Sequence, residues 1–252
     1  MCPTLSQMSP GACIGSDVEM AGQVLSRILP TVAAAVVLVG IGAGASRSSP
    51  VTFAPRVDNP WFPLIPGTSF VYRGVKDGKP ARDVFKVLHT TKTIQGVRCT
   101  SVSDRLYLAG RLEERTTDWY AQDRRGNVWY YGEATAELDR SGHVTSTEGS
   151  WLSGRNGARA GIYMPAHPRV GQTGRQEYYK GHAEDHFAVV SLNARVSVPY
   201  VSSTRAVLTK EWTPLEPGTL DHKYYVRGIG TVKEVTVKGP VERDVLVSMH
   251  RP

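Results

Sequence analysis

The stretch Thr231-Val232-Lys233-Glu234-Val235-Thr236-Val237-Lys238-Gly239 decides how this chain reads. Its valines alternate with charged or hydroxyl residues, the two-residue period of a half-buried strand. Val232, Val235 and Val237 carry the apolar side, so one irregularity is expected at Lys233-Glu234. The same pattern extends outward in both directions. HKYYVRGIG (222–230) precedes the stretch and ERDVLVSMH (242–250) comes after it. Earlier runs are SFVYRGV (69–75), DVFKVLHTTKTI (83–94), VRCTSVSDRLYL (97–108), RLEERTTDWYAQD (111–123) and VWYYGE (128–133). Later ones are RQEYYKG (175–181), EDHFAVVSLNARVSVPY (184–200) and RAVLTKEWT (205–213). Val, Thr and Tyr dominate these runs, as in pleated, half-buried strands. In the second run Asp83, Phe85, Val87 and His89 share one face, opposite Val84, Lys86 and Leu88.

The turn signals agree. Lys76-Asp77-Gly78-Lys79 reads as a tight hairpin, and Arg125-Gly126-Asn127 separates two further runs. Beyond the N-terminal region no segment holds a 3.6-residue period over three turns. The links are too short for helical crossovers, so the strands must be antiparallel. About a dozen strands in one domain need their edges protected, which closure supplies. The expected fold class is all-β: an antiparallel barrel, or two packed curved sheets. Barrels of this size often enclose a ligand cavity.

The N-terminal region is different. Ile28 to Ala45 reads ILPTVAAAVVLVGIGAGA after Arg27, with Ala43-Gly44-Ala45 at its end. A basic start, an apolar middle and a small-residue end form a secretory signal. Pro30 and several glycines interrupt a run that scarcely reaches the ~20 apolar residues of a spanning helix. A cleaved signal is the expectation; an uncleaved anchor with the domain outside the membrane is the alternative. Met20 would open a more conventional signal than Met1, and translation from Met20 is expected. The organisation is then a signal region at 1–45, a linker at 46–57 and one domain at 58–252.

Cys2 and Cys13 fall in the signal region, leaving Cys99 alone in an exported domain with no internal disulfide. Its strand-like setting marks it as a buried small hydrophobe. The net charge of +7 is scattered, with no run of five basic residues and no RNA-binding aromatic motif, so nucleic acid is not an expected partner. A mildly basic exported domain suits a negatively charged membrane or cell-wall surface. Phosphate-cradling and dinucleotide motifs are missing, as is a G-x-S-x-G elbow.

Three sets of residues offer chemistry. In Gly181-His182-Ala183-Glu184-Asp185-His186, strand geometry would project His182, Glu184 and His186 from one face as ligands for a divalent metal, and no other cofactor is expected. Asp185 would then point the other way, inward. The second set is carboxylates beside aromatic rings: Asp118, Asp123, Glu133 and Glu177. A carboxyl in an apolar setting can act as a general acid beside a solvated partner, as in glycoside hydrolysis. Glu184, Asp185, Glu177, Asp118 and Glu133 are therefore the catalytic candidates. The third set is the paired aromatics, whose inner rings would line a ligand cavity. Trp119, Trp129, Tyr131, Tyr179 and Tyr225 are those candidates. Between Ala136 and Gln176 the pattern thins, and a flap over the barrel mouth or a packed surface loop is expected there.

Several phrases run in order through the domain: Asp58-Asn59-Pro60-Trp61-Phe62-Pro63-Leu64 with Pro66-Gly67-Thr68, Asp118-Trp119-Tyr120-Ala121-Gln122-Asp123, and Gly126-Asn127-Val128-Trp129-Tyr130 with Gly132-Glu133. Further along stand Met164-Pro165-Ala166, Gln176-Glu177-Tyr178-Tyr179, Ala183-Glu184-Asp185, Thr213-Pro214-Leu215-Glu216-Pro217-Gly218 and Lys223-Tyr224-Tyr225. In these the chain resembles a group of exported bacterial β-rich proteins without an assigned role. The resemblance implies a secreted or surface protein of β architecture and brings no catalytic residues. Compartment, barrel and aromatic strands together point to an exported protein that binds a lipid or other amphipathic small molecule at the cell surface. The alternatives are an extracellular hydrolase and a cell-envelope interaction module.

Overall fold

A computed structural model describes residues Val51–Pro252. The signal region, the Met20 start and the first residues of the linker lie outside the described residues. Every regular element described is a strand. They are β1 (Ser69–Lys76), β2 (Lys79–Ile94), β3 (Val97–Leu108), β4 (Arg111–Gln122), β5 (Val128–Leu138), β6 (Val144–Ser146), β7 (Trp151–Leu152) and β8 (Arg159–Met164). Then come β9 (Thr173–Arg175), β10 (Glu177–Tyr178), β11 (His186–Ser197), β12 (Ser202–Trp212), β13 (Leu220–Val226), β14 (Gly230–Lys238) and β15 (Glu242–His250). One antiparallel sheet runs β10-β8-β5-β4-β3-β2-β1-β15-β14-β13-β12-β11-β9, with β6 and β7 also paired to β5.

Local chemistry sets the register. Asp77 and Gly78 both take positive φ, 52° and 70°, the two-residue turn that matches strand twist. It places Lys76 opposite Lys79 and Phe70 opposite Phe85. Closure depends on residues 173–178. β9 pairs with β11 and β10, two residues on, pairs with β8, so one extended segment joins the two edges. Gly161 of β8 lies under it: a Cβ there would sit 2.2 Å from the Arg175 carbonyl oxygen. The expected all-β class is therefore realised as a barrel.

Two boundaries differ from expectation. The segment 136–176 is neither a flap nor a packed surface loop throughout, because β8 is a wall strand and Trp151 and Met164 enter the core. Its apolar residues are sparse since only short stretches of it pair, yet each is an anchor. Residues 51–57, expected in the linker, pack on the domain. Phe53 bridges Asp123, the Ala54 N–H donates to the Gln122 carbonyl at 2.7 Å, and Val57 is buried.

The interior is layered. Val87, Val102, Tyr120, Val128, Val207, Tyr225, Val232 and Leu246 form the apolar level. Residues 57–68 plug one end, with Phe62 5% exposed and the Gly228 N–H donating to the Pro60 carbonyl. Asn59 ties this plug to the wall. Its Nδ2 donates to the carbonyls of Gly126 at 2.8 Å and Pro165 at 3.1 Å, and its Oδ1 accepts from the Trp61 N–H at 2.8 Å. Gln122 Oε1 in turn accepts from the N–H groups of Asp58 and Asn59. Asn59 is 2% exposed, so Asn59→Ala orphans buried partners at about 1–3 kcal/mol each. We expect a loss of about 2–4 kcal/mol in urea unfolding; a change under about 0.5 kcal/mol would mean that this corner does not hold the plug.

A second apolar cluster lies on the outer side of β3–β5, built from Ile94, Cys99, Trp119, Ala121 and Tyr131 with Phe53 and Trp129 against it. Burial pushes the Cys99 thiol up to about 12, leaving it without appreciable thiolate near neutrality. The deciding stretch itself is corrected in one respect. Val232 is buried, but Val237 is 48% exposed, and Glu234 lines the interior. Val235 and Val237 do not share the face of Val232. The inward phase passes from Val232 to Glu234, and the register breaks lie at either end of the run, opposite Tyr224/Tyr225 and Leu220/Asp221.

Candidate ligand site in the barrel interior

One step along each strand from the apolar level, the inward residues become charged. Asp83 stands two residues from Phe85, Asp104 from Val102, Asp118 from Tyr120, Lys223 from Tyr225, Glu234 from Val232 and Asp244 from Leu246. Side chains two apart share a sheet face, so alternation carries each of these groups inward with its apolar neighbour. Together they wall a cavity of about 160 Å³. Its floor is aromatic, formed by Phe62, Phe70, Phe85, Tyr120 and Tyr163. Phe62, brought in by the plug, has its ring centroid 4.6 Å from that of Tyr163 and 5.3 Å from that of Tyr120.

Among the described residues Lys223 is the one cation on this wall. Its Nζ lies 3.1 Å from Glu211 Oε2 and 3.3 Å from Glu234 Oε1. Glu211 also accepts from Thr209 Oγ1 at 2.8 Å and Tyr225 Oη at 3.0 Å. Burial alone would lower the Lys223 ammonium, but Glu211 and Glu234 outweigh it and hold the ammonium well above the ordinary lysine value. Glu234 lines the cavity and keeps 38% of its side chain accessible. Burial raises its carboxyl to about 7, Lys223 acting against the rise.

Among the described residues the remaining carboxyls form no ion pair, although Lys223 and Arg105 act to lower Asp104 and Lys76 and Arg243 act to lower Asp244. Burial, then the charge of Asp104, lifts Asp83 well above the carboxylate range, and burial lifts Asp104 too. The two stand close enough to share a proton. Asp118 is 6% exposed and accepts from Tyr130 Oη at 2.6 Å; burial, then Asp104 and Glu133, raise it. Asp244 rises to about 6, mainly by burial. Among the described residues the Oδ1 atom of Asp244 is buried without a donor, and that of Asp83 has none apart from a proton shared with Asp104.

The fate of the expected residues is mixed. Asp118 faces Glu133 across β4–β5. Glu133 is raised to about 7 by burial, with a hydrogen bond from Thr135 opposing. Glu177 is 6% exposed, and burial, then the charges of Asp185 and Glu133, raises it. Three of the five catalytic candidates therefore share one interior region. Asp185 keeps accessible surface, yet it stands near enough to Lys223 and Glu211 for their charges to act on it and hydrogen-bonds Thr213. Glu184 accepts from the Gly181 N–H at 2.8 Å in a turn. Asp123 is a turn group: its carboxylate accepts from Arg125 N–H, Asn127 and Trp129 Nε1.

The metal expectation required His182, Glu184 and His186 on one strand, and that strand does not form. His182 lies in a turn and β11 begins only at His186. His182 Nδ1 is 2.8 Å from Glu148 Oε1, whereas the His186 ring stacks on Trp212 at 5.5 Å. Among the described residues no three His, Cys, Asp or Glu side chains are placed to hold a metal ion.

Of the aromatic candidates, Trp119, Trp129 and Tyr131 belong to the outer cluster, Tyr179 stacks on His182, and Tyr225 is a core residue. The inner rings are instead Tyr120, Tyr130 and Tyr163. A paired aromatic does not reveal which member faces inward; the Trp119/Tyr120 register shift opposite Gly132 settles that. Sequence reasoning also missed Asp83, Asp104, Lys223, Glu234 and Asp244. The signal that finds them is an ionisable residue two positions from an apolar or aromatic one on the same strand face.

No family model matches the chain, and no curated protein matches it in sequence. Among solved structures it is similar to a protein from Bacteroides fragilis inferred to be exported, with a YmcC-like fold, at 16% identity and TM-score 0.43, over 76% of this chain and 99% of that one. It is also similar to an inferred lipoprotein from Parabacteroides distasonis at 10% identity and TM-score 0.40, over 80% of this chain and all of that one. Likenesses of this strength carry no argument about function.

Proposed function

We propose that this is an extracytoplasmic binding protein that holds a compact amphipathic molecule inside the barrel. The signal-like segment Ile28 to Ala45 supports the compartment. The observation that carries the binding reading is the cavity of about 160 Å³ with an aromatic floor and a polar wall, the composition of ligand pockets. Its volume is close to the ~150 Å³ of an engineered cavity that admits benzene. A compact ligand fits that space, and a long acyl chain needs more, which narrows the lipid reading to small amphipathic molecules. Native mass spectrometry of the protein from an exporting host is expected to show an added mass that leaves on denaturation. A clean apo mass, with no small aromatic or amphipathic compound shifting the melting temperature, would remove the reading.

A second reading, hydrolysis, is favoured by one observation. Glu133 faces Asp118 and takes up its proton near neutrality, as a general acid must. Under this reading Glu133→Gln lowers any glycosidase or esterase turnover at least ~100-fold. Unchanged turnover in that variant would exclude Glu133 as the acid.

A further inference from the structure

Taking the binding reading as its basis, we propose that the interior cavity selects a small organic cation: an ammonium group carried on a compact, ring-sized apolar body. The first argument is charge. Five carboxyls line the cavity against one lysine, and Lys223 is already engaged by Glu211 and Glu234. Among the described residues Asp83, Asp104, Asp118 and Asp244 form no ion pair, with Lys76 and Arg243 acting on Asp244, and Lys223 and Arg105 on Asp104, only at a distance. A buried carboxyl in that position either keeps its proton or waits for a positive charge.

The second argument is independent of the charge count. Asp83 is half-buried and lines the cavity, and among the described residues its Oδ1 atom has no donor other than a proton shared with Asp104. Asp244 Oδ1, on the same wall, also lacks one. An orphaned acceptor of this kind costs about 1–3 kcal/mol, and rotation of either carboxyl toward the cavity would let an entering ammonium N–H satisfy it. An anionic ligand would add charge to the same wall.

The floor completes the recognition. Phe62, Phe70, Phe85, Tyr120 and Tyr163 present ring surface directly below the carboxyls. Aromatic faces attract cations and receive apolar bodies. A bare divalent ion would leave this surface unused, and among the described residues no three ligating side chains are placed for one. Cavity size selects a body near that of a single ring.

The test is isothermal titration of the purified protein at about pH 8, where the lining carboxyls are most ionised. Three probes of one shape are compared: benzylammonium, benzyl alcohol and benzoate. Benzylammonium is expected to bind at least ~10-fold more tightly than benzyl alcohol, with benzoate not detected. Asp83→Asn and Asp244→Asn are each expected to weaken benzylammonium at least ~10-fold. Neither should lower the melting temperature, because Asn matches the protonated carboxyl in shape and charge. Equal affinity for all three probes, tighter benzoate, stoichiometric calcium, or full benzylammonium affinity in both variants would overturn the cation assignment. Benzyl alcohol binding as well as the amine would leave a binding protein without that selectivity. No probe binding alongside a copurified mass refutes the cation alone; no probe binding and a clean apo mass refute both readings.

Discussion

Lowering the pH from about 8 to about 5 should stabilise this protein. An unfolded glutamate titrates near 4.3, whereas Glu133 and Glu234 titrate at about 7 in the fold and Asp244 at about 6. Between those values the native state holds protons that the unfolded chain releases. Stability therefore falls as pH rises through roughly 4.5 to 7, and is regained on acidification. Asp83, Asp104, Asp118 and Glu177 are raised in the same direction. Lys223, raised instead, contributes fully below the unfolded lysine value of about 10.4 and so is constant across this window.

After discounting for water reaching the lumen, the net gain is about 2–4 kcal/mol. That corresponds to a rise of about 5–10 °C in melting temperature for a domain of this size. Further acidification reverses it. Burial raises Asp123, but hydrogen bonds from Trp129, Asn127 and two backbone N–H groups outweigh this and hold its carboxyl low. Its contribution is lost as pH falls below about 4. Calorimetry across this range checks the shape. A melting temperature that is flat or falls between pH 8 and 5 would mean that the lining carboxyls are not kept neutral by the fold.

The second large effect belongs to Lys223→Met. The substitution keeps the aliphatic stem and removes the charge, leaving Glu211, 7% exposed in its side chain, and Glu234 without their cation. Breaking a buried pair from one side costs about 3–5 kcal/mol, and urea unfolding at about pH 8 should show a loss of that size. At about pH 5 the loss should shrink, because protonated Glu234 no longer needs the partner. The double variant Lys223→Met with Glu211→Gln should recover most of the stability, since replacing both members of a buried pair is often close to neutral. A single-variant loss below about 1 kcal/mol would show that water, not Lys223, satisfies these carboxylates.

The phrases that carry the family resemblance have a structural job. Asn59, Gln122, Asp123, Asn127 and Ala166 meet in one hydrogen-bonded corner between the plug and the β4–β5 turn. The densest motif in the chain therefore seats Phe62 rather than performing chemistry. The residues that line the cavity stand singly in ordinary strands such as DVFKV and TVKEV.

That contrast separates what each level decides. The two-residue period and the Asp77-Gly78 turn determine strands and antiparallel pairing, because pleat and turn sterics are local. The same alternation already puts Asp83 in phase with Phe85 and Val87. It does not say that this face meets Asp104, Asp244 and Lys223, which come from strands up to 161 residues away in the chain. Pairing Asp118 with Glu133, rather than with a neighbour, depends on the register shift opposite Gly132. The turn at His182 depends on residues 173–178 being drawn across to join both edges of the sheet. Local sterics determine the elements; closure of the barrel decides which lone charges share one low-dielectric interior, and so where a ligand can be held.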